Sequence, residues 1–558
     1  MKMTQLSYWP SYLPETMQYR HGERPLHEYI DQHCEEKPDA IAYSYYGREI
    51  SWKELKKKIC QLAGFLNRND VRKGDAVGLF MQNCPQYIIA HYAIQKIGGI
   101  VVPLNPMYKE SELSYFFKEA GMKGIIAGCE LYSRVQTAVS NLDNPILSIT
   151  VHYGDFIPET PALKLPEDLS ISKQTFESAH DMNDIFREED PLNKNAEIDT
   201  WNDIGLMIFT SGTTGRPKGA LLTYGSSLYK TAATAETNEM REDDRSLAIA
   251  PLCHIAGMVM GVNIPVYSGN TCYLLTRFDP ETTIDVIETY KITTWYSVAP
   301  MNAAILHTPG ADKRNLTSLR HNPSTSFGMP VTKELADKWH ELTKGCIMHE
   351  ASYGLSETHT CDTFMPKDKI KFGSCGIPVY ENKIKIIAGE TGSPAAPGER
   401  GEIAVKNPGI FKGYLNRADA TSETLRDGWV FTGDIGMLDE EGYLYFFGRM
   451  KELIKCSGYS VFPEDVEALL NEHPAVMQSA VIGIPDSVRG ESVKAFIVLK
   501  PNEREKVTEE EIFNWSKKHM AAYKYPREIE FRDELPSTSS GKVLRRLLKT
   551  PENEGVKK

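Results

Sequence analysis

The sequence predicts an α/β fold class with a large N-terminal domain and a small, mobile α+β domain at its C-terminal end. Apolar, strand-like segments alternate with helical segments from residue 76 to residue 127, and such βαβ units require a parallel sheet covered by helices. A β-rich portion follows before residue 449, and shorter strands and helices alternate after it. The length of 558 residues also exceeds one ordinary domain, so we expect domains over 1–449 and 450–558.

The individual elements of the first sheet follow from local signals. A helix is expected from Trp52 because Ser51 and Glu54 form a capping box, and apolar residues recur after it at helical spacing. The further strands and helices expected here, in alternation, are 76–81, 85–97, 100–104, 110–120 and 124–127. Residues 158–203 are polar and lack periodicity, which predicts a surface segment.

Residues 210–219 (Thr-Ser-Gly-Thr-Thr-Gly-Arg-Pro-Lys-Gly) form a polar loop between two apolar, strand-like segments. Its glycines let the backbone turn tightly, while its hydroxyls, N–H groups and Lys218 suit a polyphosphate. The Walker-type loop is excluded because Gly219, not Ser or Thr, follows the lysine. The pattern predicts a phosphate-binding loop of another kind, with an ordinary hairpin loop as the alternative.

Three further segments carry residues suited to chemistry. Glu357 in residues 353–358 offers a carboxylate that can hold Mg²⁺ beside a phosphate loop, although a solvated loop glutamate is the alternative. Asp434 is expected at a strand end, where its carboxylate can accept hydrogen bonds from a ribose diol. His254 precedes an apolar segment and is either a buried core histidine or part of a ligand pocket.

These segments together resemble the adenylate-forming superfamily, which includes acyl-CoA synthetases, peptide-synthetase adenylation domains and beetle luciferases. The resemblance covers residues from about 25 to 548 and rests on motifs in the family's order: 210–219, 353–358, 429–436, 448–459 and 535–546. It implies that a carboxylate attacks ATP to give an acyl-adenylate, which coenzyme A then converts to a thioester. The implied cofactors are ATP, Mg²⁺ and coenzyme A.

The resemblance also implies roles for individual residues. The catalytic residues would be Thr210, Glu357 and Lys542, with Glu357 also the metal ligand and Lys542 bridging the substrate carboxylate and the α-phosphate. Nucleotide and coenzyme A contacts, including a domain hinge at Lys451, would come from Ser211, Gly212, Thr213, Thr214, Gly215, Lys218, Tyr353, Gly354, Ser356, Asp434, Arg449, Lys451 and Gly458. His254 and Gly328 would line the substrate pocket. Two departures from the family pattern are Cys253, where an aromatic residue is usual, and residues 324–330.

The substrate is inferred from what surrounds these motifs. No aspartate stands where an amino-acid substrate would need one, and Cys253, Met258, Met260 and Val262 indicate an apolar pocket. No carrier domain is attached, which favours coenzyme A as acceptor. We therefore expect a ligase for a medium- or long-chain fatty acid. An aryl-acid CoA ligase, a ligase that loads a carrier protein and a catalytically silent protein of the same fold remain as alternatives.

Composition limits the partners. The formal charge of −12 argues against nucleic-acid binding, which needs a basic face. No apolar segment reaches the roughly 18 residues of a membrane span, so only peripheral membrane contact is left open. The first residues lack the apolar part of a signal peptide, and 10 scattered cysteines suit reduced thiols, so a cytoplasmic enzyme is expected. Its partners would be small molecules, and a homodimer is left open.

Overall fold

The computed structural model describes residues 8–140, 142, 145–210, 216–327, 329–389, 392–457, 459–486, 489–504, 506–538 and 542–549. The chain divides into two compact units. The first comprises Met1–Thr325, Val331–Lys383 and Val405–Val430, and the second comprises Ser326–Pro330, Ile384–Ala404 and Phe431–Lys558. The domain boundary that we expect between residues 449 and 450 stays a prediction.

Two sheets, each of eight strands among the described residues, form the first unit. One has the order Gly413–Tyr414, Lys218–Thr223, Ile204–Thr210, Ile100–Pro103, Ala76–Phe80, Gly124–Gly128, Leu147–Val151 and His180–Asp181. The other has the order Ser297–Val298, His321–Thr325, Thr294–Trp295, Arg245–Ala248, Thr271–Leu274, Ile41–Tyr45 and Arg48–Ser51, with Ile347–Glu350 beside His321–Thr325. Most pairings in both sheets are parallel, which confirms the predicted fold class.

Helices cover these sheets, and those that begin at Trp52, Pro85 and Glu110 begin where the sequence predicts. The helices are Leu26–Glu36, Trp52–Arg68, Pro85–Lys96, Glu110–Ala120, Tyr132–Val139, Met182–Glu188, Tyr224–Thr237, Ile255–Met258, Ile264–Ser268, Pro280–Tyr290, Ala299–Leu306, Lys333–Thr343 and Ala418–Thr424. The hydroxyl of Ser51 accepts a hydrogen bond from the Glu54 N–H at 3.2 Å, as its capping position requires. The first unit also contains a short antiparallel pair of strands, Thr363–Phe364 with Ile377–Pro378. The strand Leu425–Arg426 lies in this unit as well.

The segment 158–203 is more ordered than its polar sequence predicts. It contributes the edge strand His180–Asp181 and the helix Met182–Glu188, which buries Met182, Ile185 and Phe186. Gln61 Nε2 donates to the carbonyl of Phe186 at 2.8 Å and thereby fixes this helix end. The prediction failed because two turns of helix are too short to show a hydrophobic period.

The second unit has its own five-stranded sheet. Its order is Tyr459–Val461, Ile454–Cys456, Gly490–Leu499 and Val476–Asp486, with Glu528–Phe531 also paired to Gly490–Leu499. Its helices are Pro463–Leu470, Glu509–His519 and Arg545–Leu548. The remaining strands are Lys383–Ile387, Gly401–Lys406, Trp429–Leu438 and Leu444–Arg449. Within the described part of the chain, no helix is both long and apolar enough to cross a bilayer.

Several histidines are buried as neutral side chains in the first unit. Burial lowers the pKa values of His27, His91 and His359 to about 3. Neither ring nitrogen of His91 has a hydrogen-bond partner among the described residues. Protonation of such a ring inside the fold is therefore strongly disfavoured.

Because these histidines are buried as neutral rings, we expect the folded protein to lose stability at acidic pH. Because the unfolded chain binds protons near pH 6.5 and the folded chain does not, stability is fully present above that pH and falls as the pH drops toward the folded pKa. Replacing His91→Leu should remove about 2 kcal/mol of the stability lost between pH 7 and pH 5. Urea unfolding at both pH values measures this difference. His340→Leu, at an exposed histidine, is the control, and parallel losses in wild type and His91→Leu would contradict the prediction.

Candidate functional site

The two strands that flank the predicted phosphate loop form an antiparallel pair. Thr210 and Lys218 are directly opposed, and the Thr210 hydroxyl donates to the Lys218 carbonyl at 3.4 Å. The Tyr115 hydroxyl donates to the carbonyl of Pro217 at 2.7 Å, and the Arg216 guanidinium lies 5.3 Å from the Tyr115 ring centre. The stem of the loop is thus fixed at both ends. Five of the predicted phosphate contacts lie outside the described residues: Ser211, Gly212, Thr213, Thr214 and Gly215.

Tyr414 connects the loop lysine to the predicted metal ligand. The Lys218 ammonium lies 4.4 Å from the centre of the Tyr414 ring, a cation–π distance. The Tyr414 hydroxyl donates to Glu357 Oε1 at 2.7 Å. Tyr414 reaches both residues because its short strand pairs with the strand after the loop, opposite Ala220. Tyr414 was not predicted from the sequence because its partners are far away along the chain.

Glu357 is held in an unusual backbone segment. It lies in the 3₁₀ turn Ser356–Thr358 and is 9% exposed. The three residues that follow this turn, His359, Thr360 and Cys361, have φ values of +59°, +54° and +47°. Residues other than glycine rarely adopt this left-handed backbone conformation, which costs of order 1–3 kcal/mol per residue. Such a run persists only where surrounding contacts impose it.

Gly354 gives this left-handed run the space that it needs. A Cβ at Gly354 would lie 2.6 Å from the backbone nitrogen of Cys361 and 2.6 Å from the carbonyl carbon of Thr360. The preceding residue is also fixed, since the N–H of Tyr353 donates to the Thr363 hydroxyl at 2.8 Å. The glycine of the Tyr-Gly-Leu-Ser-Glu segment is therefore required by a close backbone approach within the protein.

A fully buried ion pair holds the end of the same segment. Lys230 Nζ and Asp362 Oδ1 are 2.5 Å apart, and both side chains are 0% exposed. The other oxygen of Asp362 accepts from the Thr358 hydroxyl at 2.5 Å, and Asn407 Nδ2 donates to Asp362 Oδ1 at 3.0 Å. Asp362 thus uses both oxygens, and Thr358 carries the constraint directly to its neighbour Glu357.

His254 lies at the start of the helix Ile255–Met258 and is half-buried. The backbone before it is braced by Asn83, which was not predicted. Asn83 Nδ2 donates to the carbonyls of Ile249 and Ala250 at 3.0 and 3.1 Å, and its Oδ1 accepts from the N–H of Leu252 at 2.8 Å. One amide side chain therefore fixes the approach to the predicted substrate pocket. Gly328, the other predicted pocket residue, lies outside the described residues.

The second unit carries the remaining predicted residues. Asp434 lies within the strand Trp429–Leu438 rather than at its end, because that strand continues past Gly433, whose φ is +68°. Asp434 is opposite Arg449 in the hairpin, and its Oδ1 is 2.7 Å from Arg449 Nε. Lys451 is exposed in the 3₁₀ turn Met450–Glu452. Gly458 lies outside the described residues.

Lys542 is within electrostatic range of this pair. The residue keeps exposed surface, but loss of water around its ammonium, followed by the nearby Arg449 guanidinium, lowers its pKa, whereas the Asp434 carboxylate acts in the opposite direction. A lysine with a cationic neighbour is suited to binding an anion. The second unit thus places Lys542, Asp434 and Arg449 in one electrostatic group.

The chain is similar to known families and proteins over nearly its whole length. Residues 30–415 match the family described as AMP-binding enzyme, and residues 465–542 match the AMP-binding enzyme C-terminal domain. A long-chain-fatty-acid–CoA ligase of Bacillus subtilis is 36% identical over 532 residues, covering 93% of this chain and 92% of that protein. A probable 4-coumarate–CoA ligase of Dictyostelium discoideum is 31% identical over 538 residues, covering 94% of this chain and 95% of that protein.

The fold also resembles a solved structure. An anthranilate CoA ligase in complex with anthranoyl-AMP superposes with a TM-score of 0.83 at 26% identity, covering 96% of this chain and 98% of that one. Sequence and fold therefore agree over the same extent of the chain.

Substitution of Gly354 tests whether the backbone approaches this residue as closely as the structure shows. Gly354→Ala should destabilise the protein by about 2 kcal/mol or more, because a methyl group there overlaps backbone atoms that cannot rotate away. Gly389→Ala is the matched control, since nothing lies within 4 Å of a Cβ at that position. Thermal unfolding of both variants measures the effect. Equal melting temperatures for the two variants would contradict the proposed packing.

Proposed function

The chain belongs to the AMP-binding enzyme family and is an AMP-forming acid–thiol ligase, and we propose that its acid substrate is a medium- or long-chain fatty acid. Enzymes of this kind use ATP and coenzyme A. The overall reaction would convert the fatty acid, ATP and coenzyme A into acyl-CoA, AMP and pyrophosphate. The choice of acid and the roles of individual residues are the parts proposed here.

The observation that carries the substrate choice is the uncharged sequence around His254. Residues 250–276 contain no Asp, Glu, Lys or Arg. Met258 and Val262 are fully buried in this segment, whereas Cys253 and Met260 keep partly exposed surface. An acid with a buried ammonium group would need a paired carboxylate, and an alkyl chain needs only apolar contact. The similarity to the Bacillus subtilis fatty-acid ligase supports the same choice.

The first half-reaction would make the acyl-adenylate. An oxygen of the substrate carboxylate bonds to the α-phosphorus of ATP, and the bond to pyrophosphate breaks. Thr210 and Lys218 would bind the phosphates, and the Asp434 carboxylate would bind the ribose. The Lys542 ammonium would stabilise negative charge on the reacting oxygens, which is the main catalytic contribution in this chemistry.

Glu357 would hold Mg²⁺. Its side chain is a hard oxygen donor, Tyr414 engages one of its oxygens, and the Lys218 ammonium lies over the ring of the same tyrosine. These features fit a metal ion bound near the phosphates. When bound, the ion would neutralise charge on the pyrophosphate leaving group.

The second half-reaction would transfer the acyl group to coenzyme A. The thiol sulfur bonds to the acyl carbon, AMP leaves, and the thiol proton passes to solvent. We propose that Lys542 acts only in the first half-reaction and that Lys451 is the hinge that changes which face of the C-terminal domain is used. The exposed position of Lys451 supports this role, since a solvated side chain need not leave a core during a rotation.

An aryl acid is the second candidate substrate. The 4-coumarate–CoA ligase relative is 31% identical over 94% of this chain, so its substrate class competes directly with a fatty acid. Both classes share the ATP chemistry and differ in the shape of the acyl pocket. The two candidate functions are therefore distinguished by which acid the enzyme activates.

ATP–pyrophosphate exchange across a panel of acids should identify the substrate. The panel runs from acetate through medium- and long-chain alkanoates to benzoate and cinnamate, each with and without coenzyme A. We expect exchange to peak at medium or long alkanoates and AMP release to require coenzyme A. A peak at cinnamate would replace the fatty acid with an aryl acid, and exchange without a coenzyme A thioester would move the acceptor to a carrier protein.

Lys542→Ala should separate the two half-reactions. Adenylation should fall by about 100-fold or more, because the variant lacks the charge that stabilises the reacting oxygens. Thioester formation from supplied acyl-adenylate should stay within about threefold of wild type, since that step does not use the ammonium. Lys517→Ala, at an exposed position, controls for the loss of a surface charge. Equal loss of both half-reactions would contradict the assignment.

A further inference from the structure

Two histidines and a glutamate lie close together at the helix Leu26–Glu36. None of the three is assigned to ATP or to the acid. The helix Leu26–Glu36 carries His33 and Glu36 three residues apart, and His21 lies in the turn before it. Residues three apart lie on one face of a helix. One ligand atom from each of His21, His33 and Glu36 lies within 4.8 Å of the other two. We propose that these three side chains bind a divalent transition-metal ion, with Zn²⁺ the best match.

His33 carries the decisive observation. Its ring is 2% exposed, and its Nε2 lies 2.7 Å from the carbonyl oxygen of Val266. Because a carbonyl oxygen only accepts hydrogen bonds, Nε2 must hold the proton and Nδ1 must present its lone pair. Nδ1 is buried and has no hydrogen-bond partner among the described residues. A buried acceptor without a partner is costly, and metal-bound histidines characteristically donate their other N–H to a carbonyl in this way.

Space beside this nitrogen is kept by Gly269. A Cβ at Gly269 would lie 3.1 Å from His33 Nδ1 and 2.7 Å from its Cε1, so any larger residue would crowd the ring. The His21 ring lies edge-on to the His33 ring, with centroids 5.0 Å apart. The other two ligands can move toward an ion, because His21 is half-buried in a turn and Glu36 is exposed at the helix end.

The charges around the three ligand atoms also suit a cation. Glu36 supplies the negative charge. The nearby Lys37 ammonium is paired with Glu242 at 2.6 Å, which reduces its repulsion of an ion.

The ligand set selects the kind of ion. Two imidazoles and one carboxylate favour Zn²⁺ over Mg²⁺ or Ca²⁺, which prefer oxygen ligands. With bonds of about 2.1 Å, ligand atoms around tetrahedral Zn²⁺ lie about 3.4 Å apart, so the side chains would have to close by at most about 1.4 Å. Water would complete the coordination. The ion would join the turn at His21 to the helix and, through His33, to the backbone at Val266.

Zinc binding to the full-length protein tests this site. The protein is dialysed against EDTA and titrated with ZnCl₂ alone, in the absence of ATP, by calorimetry and by thermal unfolding. We expect one ion per chain at this site and a rise in Tm of about 3 °C or more. His21→Ala and Glu36→Gln, both at accessible positions, should each weaken binding at least about tenfold and abolish the rise in Tm.

Two neighbouring substitutions are matched controls. Glu35→Gln removes the same charge one residue away, and Cys34→Ser removes the adjacent thiol; both should bind Zn²⁺ as wild type does. Titration with Co²⁺ should give a visible spectrum without a thiolate charge-transfer band. The proposal is overturned if no Zn²⁺ binds, if His21→Ala and Glu36→Gln bind like wild type, or if the Co²⁺ spectrum shows a thiolate ligand.

Discussion

The buried pair of Lys230 and Asp362 is the constraint on which the geometry around Glu357 depends. Two charges without solvent contact are tolerated only when they are paired and fully hydrogen-bonded, and removal of one partner from such a pair typically costs about 3–5 kcal/mol. Asp362 meets this condition through Lys230, Thr358 and Asn407. Once Asp362 is fixed, the chain from Thr358 has only a few residues in which to reach it, and it does so through three left-handed residues.

That short path explains why the Tyr-Gly-Leu-Ser-Glu segment has its composition. The left-handed run returns the backbone onto Gly354, which excludes a side chain there. The same turn directs Glu357 toward the Tyr414 hydroxyl, and the Lys218 ammonium contacts the ring of that tyrosine. The predicted metal ligand and the loop lysine are therefore arranged by one continuous set of contacts that begins in the core.

The sequence predicted those parts of the molecule that depend on local signals. Helix caps such as Ser51, the parallel pairing of the strands between residues 76 and 128 and the hairpin that carries residues 210–219 follow from patterns spanning a few residues. Tyr414, Asn83 and the Lys230–Asp362 pair were not predicted, because each acts on residues far along the chain and has no local pattern. The roles assigned to the candidate site come from the family resemblance, since an isolated Gly-Lys or an isolated glutamate occurs in many proteins of unrelated function.

Asn83 has a consequence for how new specificities could evolve on this scaffold. It holds the backbone before His254 through main-chain atoms of Ile249, Ala250 and Leu252, and it contacts none of their side chains through these bonds. Side chains along this stretch can therefore be exchanged while the brace stays intact. Substitutions could thus change the shape of the proposed acid pocket without disturbing the backbone around it, which is one physical route by which a single architecture could come to accept different acids.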